Sequence, residues 1–83
     1  MTGEEIIEER DARYGEWAEQ AKISQRLKRI VGNTPNWSTL EDFQKESIEM
    51  CLHKISRILN GDPDYKDSWE DASLYLKLVV DRL

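Results

Sequence analysis

With Cys51 as its only cysteine, the chain cannot close a disulfide on itself. A cross-linked framework within one copy is excluded, and a reducing compartment is the expectation. Long apolar runs are also missing, since no stretch approaches the about 18 consecutive apolar residues that a membrane span needs. The first ten residues carry Glu4, Glu5, Glu8 and Glu9 where a signal peptide would carry an apolar segment. A cytoplasmic protein that does not enter a membrane is expected. Basic residues are the minority, 12 against 17 acidic ones for a net charge of −5, and only Lys22, Arg26, Lys28 and Arg29 are grouped. That is too little positive charge to displace counterions from a nucleic acid, so direct nucleic-acid binding is not expected. An acidic surface suits a basic groove on another protein instead. The single histidine, His53, has no second histidine or cysteine at a metal-ligand spacing, which sets a zinc site aside. No useful length alternates with period two, so a sheet has little support.

The remaining composition, 39% hydrophobic and 35% charged, fits amphipathic helices with solvated outer faces. The four glycines and two prolines all fall between periodic segments and divide the chain into four helical candidates. The first, residues 3–13, opens on Thr2 with Glu5 three positions on, a capping-box spacing, and ends at Tyr14-Gly15. The second, residues 16–31, places Trp17, Ala21, Ile23, Leu27, Ile30 and Val31 on one side. Gly32-Asn33 tolerates a left-handed cap there, and Pro35 blocks continuation. A second capping box, Ser38 to Glu41, predicts the start of a helix of about 22 residues, roughly 33 Å, carrying Leu40, Phe43, Ile48, Cys51, Leu52, Ile55, Ile58 and Leu59. Gly61, in a positive-φ terminus, and Pro63 end it. The fourth helix is expected to begin on Ser68 as N-cap, with Ala72, Tyr75, Leu76, Val79 and Leu83 on a face widened by Leu74, Leu78 and Val80. The expected fold is all-α: a single domain, residues 1–83, forming a small irregular helical bundle of about four helices with a C-terminal antiparallel helical hairpin. The breadth of the fourth helix's apolar face predicts that a second copy covers part of it, making a homo-oligomer.

Few residues offer chemistry. Cys51 shares the apolar stripe of Ile48 and Ile55, while His53, two residues on, points elsewhere, so the thiol is read as structural. Carboxylates are more informative, because hard cations such as Mg²⁺ take oxygen ligands and acids three or four apart project to one side of a helix. Glu4, Glu5 and Glu8 are accounted for by the positive end of a helix dipole. Glu46 and Glu49 on the third helix, and Asp67 and Asp71 at the start of the fourth, would meet across an antiparallel hairpin if they face inward. Otherwise they form a solvated face paired with Lys45, His53 or Lys54. A calcium loop starting at Asp62 would need glycine at its sixth position, where Asp67 stands.

The string Glu8-Glu9-Arg10-Asp11-Ala12-Arg13-Tyr14-Gly15, with the run from His53 to Pro63 and with Asp67-Ser68-Trp69-Glu70-Asp71, resembles a family of small phage and prophage proteins. The resemblance covers nearly the whole chain, and its most specific part runs from Lys54 to Tyr75. That family is distantly similar to the MazG-type all-α nucleoside triphosphate pyrophosphohydrolases. Those enzymes hold Mg²⁺ with a Glu-x-x-Glu pair on one helix and a Glu-x-x-Asp pair on its partner, and cleave between the α- and β-phosphates. By this resemblance Glu46 and Glu49 match the first pair, and Asp71 with Tyr75 matches the start of the last core helix. The second glutamate does not carry over: its place is Ser68, with Asp67 one residue out of register. Leu74 replaces a glycine that precedes the tyrosine in the phage proteins. Lys54 and Arg57 would face a polyphosphate, and Tyr14, Asn60, Asp62 and Trp69 are the other positions that match. Two functions follow. One is a phage or prophage accessory protein that binds a protein partner without catalysis or cofactor. The other is a Mg²⁺-dependent MazG-like pyrophosphohydrolase or nucleotide binder. Inward-facing Glu46, Glu49 and Asp71 around a shared cavity would favour the second, and salt bridges from those acids to lysines the first.

Overall fold

A computed structural model describes residues 1–83. The first two helices begin where a side chain satisfies free backbone N–H groups. Thr2 Oγ1 accepts from Glu5 N–H at 3.1 Å to open α1, Gly3–Tyr14. The Glu16 carboxylate accepts from both Ala18 and Glu19 N–H at 3.0 Å to open α2, Trp17–Gly32. Those two bonds hold the Glu16 carboxyl below its ordinary pKa.

The third and fourth helices begin elsewhere than their serines predict. Ser38 lies in a 3₁₀ turn, Trp37–Thr39, after which Leu40 takes an extended conformation (φ −71°, ψ 148°) and interrupts any helix. The α-helix α3, Asp42–Asn60, starts one turn later, with Gln44 Oε1 accepting from Glu41 N–H at 2.9 Å. Ser68 is no cap either: it is buried in the first turn of α4, Lys66–Val80, whose N-cap residue is Tyr65. The chain is all-α, without strands, and no helix is long and apolar enough to cross a membrane.

α3 is the middle helix. α4 returns antiparallel along one side of it, forming the expected C-terminal hairpin, and α2 packs along the other. The buried side chains are mostly small: Ser47, Cys51 and Ile58 of α3 with Ser68 and Ala72 of α4, and Ser56 of α3 with Gln20 and Ser24 of α2. Small residues let neighbouring helix axes approach closely, so the helices meet along two narrow seams and form a layer. Only three of the eight buried residues are hydrophobic (Cys51, Ile58, Ala72), which leaves most large apolar side chains above or below the layer. α1 buries none of its side chains.

α1 is fixed to the layer by a junction of backbones. Gly15 is the one residue with positive φ (79°), and a Cβ there would run into the backbone and side chain of Asn60. Asn60 Nδ2 donates to the Tyr14 carbonyl at 3.0 Å and the Glu16 carbonyl at 3.1 Å, and Asp62 N–H donates to the Arg13 carbonyl at 2.8 Å. Gly61 has φ −120°, against the expected positive value. Its glycine is required by space, because a Cβ would meet Arg13 O and the Tyr14 backbone. The guanidinium of Arg57 lies over the Tyr14 ring at 4.1 Å, and the edge of one ring meets the other between Tyr14 and Tyr65. Tyr14, Asn60 and Asp62 therefore hold the architecture together.

Candidate functional site

On one face of the hairpin lie two adjoining depressions, one along α4 and one between α4 and α3. One, of about 270 Å³, is lined by Asp71, Leu74, Tyr75 and Leu78. The other, of about 200 Å³, is lined by Phe43, Glu46, Ser47, Tyr75, Leu78 and Arg82. Tyr75 and Leu78 belong to both, so the two make one groove with an apolar floor, carboxylates at Glu46 and Asp71, and a guanidinium at Arg82. The groove exists because α4 carries apolar residues beyond the stripe that α3 covers: on the 3.6-residue repeat, Leu74 and Leu78 stand beside the packed face of Ser68, Ala72 and Val79. Leu74 is 55% exposed and Leu78 46% exposed. Arg82 lies over the Phe43 ring, 5.9 Å from its centroid, and closes the far end.

The acids are distributed as follows. Lys54 Nζ is 3.2 Å from Asp71 Oδ2, with the lysine side chain 13% exposed and the aspartate 46%. The pair fixes the hairpin register, setting Asp71 level with Lys54. Glu46 stands eight residues, about 12 Å along the axis, from that level. Glu49 is half-buried, on the side of α3 turned away from α4. Asp67 accepts from Tyr65 Oη at 3.1 Å. The hairpin thus brings Glu46, Asp71 and Tyr75 to one groove but not to one point, and Glu49 and Asp67 lie outside it. No three of the chain's histidine, cysteine, aspartate and glutamate side chains are grouped so that they could hold a metal ion.

The residues expected to face a polyphosphate are also placed. Lys54 is engaged by Asp71, and Arg57 is stacked on Tyr14 with its Nε buried and without a hydrogen-bond partner. Trp69 Nε1 donates to the Pro63 carbonyl at 2.8 Å, which ties the loop before α4 to its second turn. Burial pushes the Cys51 thiol above its ordinary pKa, which disfavours the nucleophilic thiolate. Burial, followed by the charges of Arg57, Lys28, Lys54 and Arg10, holds His53 below its ordinary value. The imidazole is 6.4 Å from the Trp17 ring, centroid to centroid.

Another surface, lined by Trp17, Ala18, Ala21, Lys22, Gln25, Arg26 and Arg29, is formed by α2 alone. The hairpin groove has a side supplied by Phe43, Glu46 and Ser47 of a second helix, whereas this flank of about 540 Å³ has none. Sequence reasoning placed Phe43 and Leu78 on apolar faces without joining them into a site, and it passed over Arg82. The spacing Asp71, Leu74, Leu78, Arg82, one turn at each step, is the signal that could have found the groove. The chain matches no known protein family, no curated protein and no solved structure.

Proposed function

We propose that this chain acts by binding a protein and does not catalyse a reaction, as an accessory protein of the phage or prophage kind that its sequence resembles, working in the cytoplasm of the host cell. The observation that carries this reading is the groove that runs along α4 and its junction with α3, in which an apolar floor is open to solvent and the acids stand at separate points along its length. An exposed apolar groove with charged edges fits an amphipathic segment that inserts side chains a turn apart. Glu46 and Asp71, with a chain charge of −5, favour a segment carrying lysine or arginine beside its apolar anchors. Charge of that sign speeds encounter and selects partners, while Leu74, Tyr75 and Leu78 supply the contact that is removed from water.

The pyrophosphohydrolase reading needs Glu46, Glu49 and Asp71 to converge on Mg²⁺. The hairpin register and the Lys54–Asp71 pair both weigh against it. Salt bridging of an acid to a lysine is the arrangement that a binding protein can tolerate and a metal cage cannot.

Selection from a displayed library of random twelve-residue peptides tests the proposal. Enriched peptides should combine apolar residues three or four apart with a basic residue, and Leu78→Glu should weaken their binding at least about 30-fold, the equivalent of some 2 kcal/mol for one central contact. Enrichment of no sequence, or of peptides whose affinity is unchanged by Leu78→Glu, would remove the groove as the binding site.

A further inference from the structure

The helical layer has two broad faces, and the groove occupies one of them. Phe43, Glu46 and Lys54 of α3 lie on the groove face with Asp71, Leu78 and Arg82 of α4, as their contacts show. The 3.6-residue repeat then sets Ile55 and Leu59 of α3, Trp69, Leu76 and Val80 of α4, and Ile30 of α2 on the opposite face. Of these, Leu59 is 62% exposed, Leu76 50%, and Ile30 and Val80 68% each. α1 does not cover this face, since it is held to the groove side by Tyr14 under Arg57 and by Arg10 over Trp17.

We infer that a second copy of this chain covers the face, two helical layers stacking apolar side to apolar side in a two-fold dimer. A stable domain needs two packed layers around a core, and this chain supplies one. The amount of surface agrees. A compact monomer of 9.8 kDa exposes about 5200 Å². This chain exposes 5877 Å², about 700 Å² more, shared between the open layer and α1. Each partner in a standard interface hides about 800 Å². The elongated shape, 43 × 26 × 22 Å with a radius of gyration of 14.2 Å, exceeds the about 12 Å of a compact chain of this length. A two-fold contact sets the same patch against itself, so like charges would repel. The residues named for the patch are isoleucine, leucine, valine and tryptophan, none of which carries a charge to repel its own copy.

The inference is independent of the groove, which remains open on the outer side of such a dimer. Sedimentation equilibrium of the full chain at about 20 μM should give twice the monomer mass, and the thermal midpoint should rise with protein concentration, as linkage requires of a dimer. Leu76→Glu with Val80→Glu should abolish the double mass, leaving a monomer or an unfolded chain. Leu78→Glu, on the groove face, should keep it. A folded monomer whose midpoint does not change with concentration would overturn the dimer, as would a double mass that survives Leu76→Glu with Val80→Glu. In either case, peptide binding that is sensitive to Leu78→Glu would leave the proposed function standing.

Discussion

Gly61→Ala is expected to cost about 3 kcal/mol or more, lowering the thermal midpoint by roughly 12–24 °C for a domain of this size. One methyl group has this effect because of where it would stand. The atoms it meets are Arg13 O and the Cα and carbonyl carbon of Tyr14, all backbone, which cannot swing aside as a flexible side chain can. Relief would require parting the junction, and with it the bond from Asp62 N–H to the Arg13 carbonyl and the two bonds that Asn60 donates. Gly3→Ala is the control, since nothing lies within 4 Å of its added carbon. Thermal unfolding followed by circular dichroism reads both variants. A Gly61→Ala protein that melts with the unaltered chain would show that α1 is not packed against the end of α3 as described.

Ile58→Asp is the second large effect. Ile58 is 8% exposed, in a layer with only two other buried hydrophobic residues. A carboxylate there loses its hydration without gaining a partner, at a cost of several kcal/mol, comparable with the roughly 5–15 kcal/mol that holds a small domain together. The variant should be unfolded at 25 °C, with a helical signal well below that of the unaltered chain. A folded Ile58→Asp protein with a normal melting curve would contradict the seam between α3 and α4.

The contrast between these positions shows what the sequence could reveal. Periodicity identified the four helices, their order and the hairpin, because apolar residues at three- and four-residue spacing and glycine or proline between them are local signals. Thr2 with Glu5 opens α1 as its spacing predicts. Ser38 and Ser68 did not act as caps, because extended Leu40 breaks the first segment and the second serine fills a position where α4 comes close to α3. The apolar stripe also overstated the core. The residues that are buried include Gln20, Ser24, Ser47, Ser56 and Ser68, small or polar side chains at seams whose location depends on the helix–helix register. Register likewise decided the candidate site. Glu46, Glu49 and Asp71 are each on the helix that the sequence assigned them, but only the Lys54–Asp71 pair reveals their offset along the hairpin. Asn60 and Gly61 read as a helix stop, and their contacts with residues 13 to 16, more than forty positions away, had no local signature.

Calorimetric titration of the full chain with Mg²⁺ and Mn²⁺, alone and with a non-hydrolysable nucleoside triphosphate, tests most directly whether these acids serve protein contact or metal chemistry. The separation of Glu46 from Asp71 and the engagement of Asp71 by Lys54 predict no saturable heat in any combination. Saturable binding that is lost in Asp71→Asn, with the fold intact by circular dichroism, would contradict the account and establish a metal-dependent nucleotide site.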